Sequence, residues 1–398
     1  MPKDAGIRIF ISTGEISGDA AGARLAAAIL RCCPQARLAG TGGARMAAAG
    51  VKIVDQSDHL GAVGFTEPFS FAPSIIRLFL RTRRQMREER PDVAVLIGHD
   101  VFNTLLARWL RRCGIRTVAY FPPTVWIWRS LARFISGSFD LILASFPEEE
   151  KVYRESGGRV LFVGHYLRDF LQPVTPEMRK AGREACGLAD GAPVVGLMPG
   201  SRPQEIDGLL PLLLECAEML HRRNPRIRFL LPLAHPSHEK PVLRQVCARK
   251  LENCLSIRGH SWEVMRCCDL LLAASGTATL EAALCCLPMV IVYRVSRLSM
   301  RGIRLLVSLS VLESETLGLP NLILRRMVVP ELRQEDALAD RLFGEARALL
   351  EDGERREKMR RDLAGIGELL GPPGGLQRAA AAILSEAAGR EWTGDGPA

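Results

Sequence analysis

The 398-residue sequence lacks the features that would carry a chain into or across a membrane. No run of about eighteen uncharged apolar residues occurs, so we expect no membrane-spanning helix. The first residues, MPKDAGIRIFIST, hold no long apolar segment, so we expect no secretory signal. The 11 cysteines form no Cys-x-x-Cys motif, and an odd number does not suit a disulfide framework. The sequence therefore predicts a protein of a reducing compartment, with any membrane contact peripheral.

Aromatic residues are also few, at 6%, and no basic segment carries the interleaved aromatics of a nucleic-acid-binding module. We therefore expect no nucleic acid among the partners. Positive charge is plentiful: 53 lysines and arginines, most of them arginine, outnumber 44 acidic residues, for a net charge of +9. Such a surplus suits an anionic ligand or an anionic membrane face.

Apolar runs of strand length alternate with helical segments along the chain, which predicts an α/β protein with two Rossmann-like domains. The expected strands lie within IRIFIST, ARLAGTGG, VAVLIGH, RTVAYFP, DLILAS, RVLFVGH, PVVGLMPGSR, RFLLPLA, CLSIRG, DLLLAASG and MVIVYR. We expect domains over residues 1–172 and 173–375, an irregular linker over 171–178, and a C-terminal helix and tail over 376–398. Ligands of such sheets bind at the carboxyl ends of strands, so we expect the site in a cleft between the domains.

The segment STGEISGDAAG, residues 12–22, is a glycine-rich turn between the first strand and a helix. Its glycines allow a ligand to approach the backbone. The carboxylates of Glu15 and Asp19 argue against a dinucleotide phosphate and suit a hydroxyl-rich ligand such as a sugar. The alternative is a plain tight turn in which Asp19 caps the helix.

The segment VLIGHDVFN, residues 95–103, is an apolar run that ends in His99, Asp100 and Asn103. Such a run is typical of a strand buried on both faces, and its end is where α/β proteins place their sites. Asp100 is the first candidate for a catalytic base, and His99 is the second. Adjacent strand residues point to opposite faces, so we expect only one of the two to reach the site.

The segment MPGSRPQEI places Gly200, Ser201 and Arg202 between a strand and a helix start. Backbone N–H groups at a helix start attract anions, and arginine offers a rigid fork for phosphate oxygens. This loop is therefore a candidate diphosphate site. The alternative is a surface arginine in an ordinary loop.

The segment AASGTATLEAAL places Ser275, Gly276 and Thr277 at another helix start, with Glu281 in the second turn. The first three offer hydroxyl and N–H groups to a phosphate. The two oxygens of Glu281 suit the diol of a ribose. The combination favours a nucleotide over the alternative, which is ordinary helix capping. Further along the chain, Asn321 and Gln334 are polar residues of predicted loops. Either could contact the ligand, and the alternative is a loop residue without a functional role.

Two basic and apolar stretches are candidates for membrane contact. They are FSFAPSIIRLFLRTRRQMREER, residues 69–90, and RVSRLSMRGIRLLVSLSVL, residues 294–312. Basic amphipathic helices lie in membrane interfaces and gain about 1 kcal/mol per basic residue near anionic lipid. The alternative is a solvated helix face above a core stripe.

Taken together, these motifs resemble the lipid-A-disaccharide synthase family, which are GT-B glycosyltransferases. The resemblance rests on GEISGDAAGARL, GTGGARMAAAG, VGFTEPF, PDVAVLIGHDVFN, PTVWIWR, FVGHYLRD, MPGSRPQEI, SGTATLEAAL, LPMVIVYR, LGLPNL and PELRQED. It implies an inverting transfer of an acylated glucosamine from UDP to a lipid monosaccharide phosphate, without metal or cofactor. It also implies a peripheral protein on the cytoplasmic face of the inner membrane and, in some members, a homodimer.

Carried over position by position, the resemblance implies that Arg202 pairs with the UDP diphosphate. Glu15, a further catalytic candidate, and Ser17 would face the sugars in the cleft. Asn103 would lie on the acceptor side of the cleft. The residues expected to line the nucleotide site are Gly200, Ser201, Ser275, Gly276, Thr277, Glu281, Asn321 and Gln334.

The sequence departs from the family at the expected base. Where the family reads G-I-D-A-P-D-F-N, this chain reads LIGHDVFN, and Asn103 keeps its place. Without a gap, Gly98 and Val101 occupy the two Asp positions. The second of these is the one usually taken as catalytic. A shift of one residue would bring Asp100 into that place.

Two alternatives to the family reaction follow from this altered acceptor half. One is a GT-B UDP-sugar enzyme with another acceptor or with epimerase chemistry. The other is a UDP-sugar-binding protein that has lost its base.

Overall fold

The computed structural model describes residues 6–56, 67–98, 100–125, 129–188, 191–233, 238–294, 316 and 318–390. These residues divide into two compact units. The first comprises 6–169 and 370–390, and the second comprises 170–294, 316 and 318–369. Each unit contains one parallel sheet, which confirms the expected pair of Rossmann-like domains. The C-terminal segment differs from the expected division, because from Leu370 the chain returns to the first unit.

The first unit is built on seven parallel strands in the order β3-β2-β1-β4-β5-β6-β7. The strands are β1 Arg8–Ser12, β2 Arg37–Gly42, β3 Lys52–Gln56, β4 Val93–Ile97, β5 Arg116–Tyr120, β6 Leu141–Ala144 and β7 Val160–Phe162. The helices are α1 Ile16–Cys32, α2 Ala44–Ala48, α3 Glu67–Glu89, α4 Asp100–Arg112, α5 Ala132–Ser136, α6 Pro147–Glu155 and, from the C-terminal segment, α15 Gly375–Ala387. Every residue of β4 is buried, which explains its uninterrupted apolar sequence.

The second unit is built on six parallel strands in the order β10-β9-β8-β11-β12-β13. The strands are β8 Val194–Met198, β9 Arg228–Pro232, β10 Leu255–Arg258, β11 Leu270–Ala274, β12 Met289–Tyr293 and β13 Glu331–Arg333. The helices are α7 Pro176–Ala185, α8 Pro203–Arg223, α9 Glu239–Ala248, α10 Ser261–Cys267, α11 Thr277–Leu284, α12 Leu319–Leu324, α13 Ala339–Glu351 and α14 Gly353–Leu369.

The expected linker is irregular only in its first part. Helix α7 begins at Pro176, because Thr175 Oγ1 accepts the Met178 N–H at 3.2 Å and proline suits the first helical position. The prediction of irregular structure as far as residue 178 was therefore wrong. Both prolines that suggested a linker lie at or before a helix start.

Each sheet contains one point at which the direction of strand addition reverses. In the first sheet the chain runs from β1 outward to β3 and then returns to β4, on the other side of β1. In the second it runs from β8 outward to β10 and returns to β11, beside β8. Ligands of open α/β sheets bind at such switch points, beyond the carboxyl ends of the strands. The fold thus marks one candidate region in each unit.

None of the helices in the described part of the chain is both long and apolar enough to cross a membrane.

Candidate functional site

The first switch point brings together two of the predicted segments. Strand β1 leads to Glu15 at the start of α1, and the neighbouring strand β4 leads to Gly98. A Cβ built on Gly98 would lie 3.5 Å from Glu15 Oε1, so the two loops are in contact. Gly98 has a φ of +55°, a left-handed conformation that favours glycine. The carboxylate of Glu15 therefore lies beside the loop that leads to Asp100.

Strand β4 ends at Ile97, and Asp100 is already the first residue of α4. The expectation that it alternates with its neighbour along a strand was therefore wrong. His99 lies outside the described residues. Asp100 is partly buried, whereas the Val101 side chain is 60% exposed. The residue aligned without a gap to the family's second Asp is thus an exposed valine at the outer side of the helix.

Asn103 supports the switch-point loop from within. Its side chain is buried, and Nδ2 donates to the Gly98 carbonyl at 2.7 Å and the Ile97 carbonyl at 3.2 Å. Its Oδ1 accepts from Ser12 Oγ at 2.9 Å, and Ser12 Oγ accepts from Thr41 Oγ1 at 3.2 Å. These contacts tie together the ends of β1, β2 and β4. They give Asn103 a positioning role in this loop.

The other polar residues of the glycine turn, Ser17 and Asp19, differ in their surroundings. Ser17 is partly exposed in the first turn of α1. Asp19 is buried, and its carboxylate accepts the backbone N–H groups of Gly43 at 2.7 Å, Arg45 at 3.1 Å and Met46 at 3.2 Å. Asp19 therefore caps α2, and the alternative in which it caps its own helix was wrong.

Sequence reasoning missed Glu149, a buried carboxyl group near Asp100. Its Oε2 accepts the N–H of Ser145 at 2.9 Å and of Phe146 at 3.2 Å, at the end of β6. The pKa of Glu149 is raised to about 8, mainly by burial; the two backbone donors oppose this rise, and the charge of Asp100 adds to it. Glu149 lies three residues after the helix N-cap, as in a capping box, but the N-cap is Phe146 and not the serine or threonine that marks a capping box in a sequence.

The second switch point brings two helix N-termini to neighbouring strands. Strands β8 and β11 pair in parallel, with Met198 opposite Ala273. Just beyond this pair, the loop from Pro199 to Arg202 opens α8 and the loop from Ser275 to Gly276 opens α11. Both helix dipoles therefore present their positive ends at one edge of the sheet, which favours an anion such as a diphosphate.

The loop before α8 is held in shape by Glu205. Glu205 Oε2 accepts the N–H of Ser201 at 2.9 Å and of Arg202 at 3.3 Å, and its Oε1 pairs with Arg202 Nη1 at 2.9 Å. Gly200 has a φ of +111°, and a Cβ there would lie 2.3 Å from Glu205 Oε2. Glycine is thus required at position 200, and the Arg202 guanidinium is already oriented.

The loop before α11 leaves space beside its glycine. A Cβ built on Gly276 would have no atom within 4 Å, and Ser275 N donates to the Val292 carbonyl at 3.2 Å. Thr277 is the first residue of α11 and is partly buried. One turn further, Glu281 Oε2 accepts from Ser261 Oγ at 3.2 Å. Ser261 is the first residue of α10, so the end of β10 also contributes to this site.

Asn321 and Gln334 lie at opposite ends of β13: Asn321 contacts residues just before the strand and at its start, and Gln334 follows its carboxyl end. The buried Asn321 amide donates to the Val329 carbonyl at 2.8 Å and to Glu331 Oε1 at 2.7 Å, and its Oδ1 accepts two backbone N–H groups. These contacts show that it shapes the turn between α12 and β13 from within. Gln334 directly follows β13 and has a φ of +48°, an uncommon conformation for a non-glycine residue that occurs often at functional sites.

The chain matches the family described as Lipid-A-disaccharide synthetase over residues 9–372. It is similar to lipid-A-disaccharide synthase from Geobacter sulfurreducens, with 37% identity over 96% of this chain and 98% of the relative. It is also similar to lipid-A-disaccharide synthase from Neisseria meningitidis serogroup A, with 38% identity over 84% of this chain and 86% of the relative.

Among solved structures, the chain resembles UDP-GlcNAc 2-epimerase from Neisseria meningitidis bound to UDP-GlcNAc. The TM-score is 0.62 at 13% identity, over 96% of this chain and 100% of that one. At this identity the likeness shows the fold alone, and it agrees with the GT-B class.

Proposed function

Because the chain belongs to the lipid-A-disaccharide synthetase family, we propose that it joins a UDP-activated acylated glucosamine to a lipid monosaccharide phosphate. The chain is thus a hexosyltransferase that forms the lipid A disaccharide. The observation that carries the proposal is the family match over residues 9–372, which includes both switch-point regions. The names of the relatives favour this reaction over epimerase chemistry and over a binding protein without activity.

On the donor side, the two helix N-termini and Arg202 would hold the UDP diphosphate. Charge develops on the diphosphate as it leaves, so N–H groups and a guanidinium fixed in advance stabilise the transition state more than the ground state. Glu205 supports this assignment, because it orients Arg202 through a contact of 2.9 Å. Glu281 would accept hydrogen bonds from the ribose hydroxyls. Asn321 and Gln334 complete the proposed nucleotide site, the former by shaping its loop.

On the acceptor side, Asp100 would remove the proton of the attacking hydroxyl, and Glu15 would orient that sugar. Inversion requires one in-line attack, so a single base is sufficient. The partial burial of Asp100 and the contact of its loop with Glu15 support this choice. Val101 is 60% exposed, which argues that an Asp restored at this position would not act as the base.

The test of the base is Asp100→Asn in a purified transferase assay with the lipid acceptor. We expect kcat to fall by about 10²- to 10⁴-fold, because that is the usual contribution of a general base. UDP affinity should not change, since the nucleotide site belongs to the other unit.

A second variant, Asp100→Asn with Val101→Asp, distinguishes the two possible positions of the base. We expect no recovery of kcat, because the new carboxylate would be exposed on the outer side of α4. Recovery would assign the base to position 101. UDP release that does not depend on the lipid monosaccharide would instead favour another acceptor.

We also propose a peripheral position on an anionic membrane, supported by the helices that cover one face of the first sheet. In α3, whose side chains are described from Ile76 onward, Ile76 and Leu80 are exposed. In α4, Val101 and Leu105 are exposed at helical spacing. Next to α4, the exposed Phe134 lies under the Arg108 guanidinium at 4.6 Å. Apolar side chains interleaved with arginines are typical of a lipid-facing surface.

The proposed membrane is the inner membrane on its cytoplasmic side, where acylated sugars would meet the enzyme. The second basic and apolar stretch, residues 294–312, lies outside the described residues apart from Arg294. We retain the homodimer as part of the proposal, with light scattering of the purified chain as its measurement. A measured mass equal to that of one chain at micromolar concentration would rule out the homodimer.

A further inference from the structure

Two cysteines of the second unit lie almost in contact. Cys186 Sγ and Cys267 Sγ are 3.6 Å apart. Cys186 directly follows α7, and Cys267 is the last residue of α10. Cys186 is partly exposed, whereas Cys267 is buried. Neither residue belongs to the nucleotide or acceptor regions described above.

The close approach of the two sulfurs is built into the packing of α7. A Cβ on Gly182 would lie 3.2 Å from Cys267 Sγ, so the absence of a side chain at Gly182 allows that sulfur to pack closely against α7. Arg183 Nε donates to the Cys267 carbonyl at 2.9 Å, and its Nη2 pairs with Asp269 at 2.6 Å. Arg179 pairs with the same carboxylate at 3.2 Å. These partly buried ion pairs hold α7 against the junction between α10 and β11.

The adjacent Cys268 provides a natural control for this geometry. It is buried, and its sulfur lies 3.1 Å from where a Cβ on Gly196 would be, so it faces strand β8. Cys267 and Cys268 are thus neighbours in sequence, but only the first faces Cys186.

We propose that Cys186 and Cys267 are an oxidation site, at which a low-molecular-weight disulfide installs a reversible intramolecular disulfide that weakens nucleotide binding. The Cys186 thiolate attacks one sulfur of the small disulfide, whose S–S bond breaks and releases one small thiol. Cys267 then loses its proton to solvent and attacks Cys186 Sγ, releasing the second small thiol. Two protein thiols are oxidised, and one small disulfide is reduced to two thiols.

The two thiol–disulfide exchange steps differ in rate. Cys186 is partly exposed and can meet the oxidant first. Burial raises the pKa of the Cys267 thiol, and the nearby Cys186 raises it further. Closure of the disulfide is therefore the slower step, and it becomes faster as the pH rises.

The effect on the nucleotide follows from the shortness of α10. A disulfide bond is about 2.05 Å long, so the two sulfurs must move about 1.5 Å closer. Helix α10 spans only Ser261–Cys267, so a pull at its last residue is transmitted to its first. Ser261 supports the carboxylate of Glu281 at 3.2 Å. This part of the inference rests on the proposed nucleotide site.

The experiment treats the purified full-length chain with oxidised glutathione. Peptide mapping without reductant then identifies disulfides, and calorimetry measures the Kd for UDP before oxidation, after oxidation and after re-reduction. We expect a Cys186–Cys267 disulfide and a Kd that rises roughly fivefold, the size expected for one lost hydrogen bond. Reductant should restore the original Kd.

Matched variants decide the assignment. Cys186→Ser and Cys186→Ala should prevent both effects, whereas Cys268→Ser should leave both in place. The inference is overturned if oxidation forms no bond between Cys186 and Cys267, or if the bond forms and the Kd stays unchanged. If the reduced chain does not bind UDP, the proposed function fails, and the peptide map still decides whether the oxidation site exists.

Discussion

At the scale of single residues, Ser261 allows the ribose assignment of Glu281 to be tested without catalysis. The Ser261→Ala variant removes the hydroxyl that donates to Glu281 Oε2. We expect UDP binding to weaken by about 1 kcal/mol, the usual value of one hydrogen bond, with little change for 2′-deoxy-UDP. That ligand lacks one of the hydroxyls that Glu281 would hold. Calorimetric titration with both ligands measures the difference.

The control for this prediction is Ser385→Ala, which removes a hydroxyl from the first unit. It should not change either affinity. An equal loss for UDP and 2′-deoxy-UDP in Ser261→Ala would show that the serine acts on the site in general and not through the ribose.

Glu149 predicts a pH dependence of stability. Burial raises the pKa of this carboxyl group from 4.5 to about 8 in the folded protein. The folded state therefore binds an extra proton between these values, and stability falls as the pH rises through that window. Glu149→Gln keeps the shape and an acceptor oxygen but cannot ionise. We expect it to match the wild type at pH 4 and to be more stable at pH 8, at about 1.4 kcal/mol per pKa unit and a few kcal/mol at most.

Thermal unfolding midpoints between pH 4 and pH 9 measure this effect. Glu150→Gln, on the less buried side of the same helix, is the control and should follow the wild type. If the Glu149→Gln and wild-type curves stay parallel across this range, the buried carboxyl group is not the cause.

The same residue shows where sequence reasoning reaches its limit. The sequence PEEE offers three adjacent glutamates, and only tertiary packing determines that Glu149 is the buried one. By contrast, the sequence predicted that Gly200 and Arg202 lie in the loop before a helix and Glu281 in the second turn of another helix, and the structure has them there. Their roles toward a nucleotide stay predictions. Asn321 lies between these cases. Its position was predicted, but the hydrogen bonds that commit its amide to the loop depend on folding.

At the scale of elements, the loop before α8 depends on the absence of a side chain at Gly200. Alanine there would place a Cβ 2.3 Å from Glu205 Oε2, at a φ of +111°. We expect Gly200→Ala to displace Glu205 and with it Arg202, and to weaken UDP binding at least tenfold, which is about 1.4 kcal/mol. Titration of the variant with UDP measures this loss.

The matched control is Gly208→Ala in α8, where a Cβ would meet no atom within 4 Å. It should leave UDP affinity unchanged and stabilise the helix by up to about 1 kcal/mol. If Gly200→Ala binds UDP as the wild type does, the loop does not hold the diphosphate.

Central strands were easier to predict than edge strands, for a physical reason. Strands β4, β8 and β11 are buried along their whole length, so their sequences are continuous apolar runs. Of the four edge strands, β7 and β10 were predicted, whereas β3 and β13, which are only partly buried, were missed. The boundary between β4 and α4 was placed too late, because helix formation at Asp100 depends on the tight turn at Gly98.

At the scale of the whole molecule, alternation of strands and helices was enough to predict two parallel-sheet units. It was not enough to predict that the last helix belongs to the first unit. Helix α15 joins that unit because the Asp169 carboxylate accepts the N–H groups of Gly374, Gly375 and Leu376 at its start. Arg378 Nε donates to the Val163 carbonyl at 2.9 Å. Such long-range contacts leave no periodic signal in the sequence.

The proposed membrane binding also concerns the whole molecule, and the proposed face makes it testable. Leu105→Glu and Phe134→Glu each place a carboxylate on the exposed surface of the first unit, where the wild-type side chains are 50% and 45% exposed. We expect each to weaken co-sedimentation with phosphatidylglycerol vesicles by about tenfold or more, because burying a Leu or Phe side chain contributes about 1.5–3 kcal/mol. Raising the salt concentration should weaken the wild type as well, since arginines supply part of the attraction.

The control for the vesicle measurement is Leu243→Glu, on the second unit, where leucine is 42% exposed. It adds the same charge to the chain at a similar exposure, so it separates the loss of one surface from the general effect of a carboxylate. We expect it to retain vesicle binding, and all three variants to bind UDP as the wild type does. If Leu243→Glu loses as much vesicle binding as Leu105→Glu, net charge alone governs the attraction. The face formed by α3, α4 and α5 would then have no special part in it.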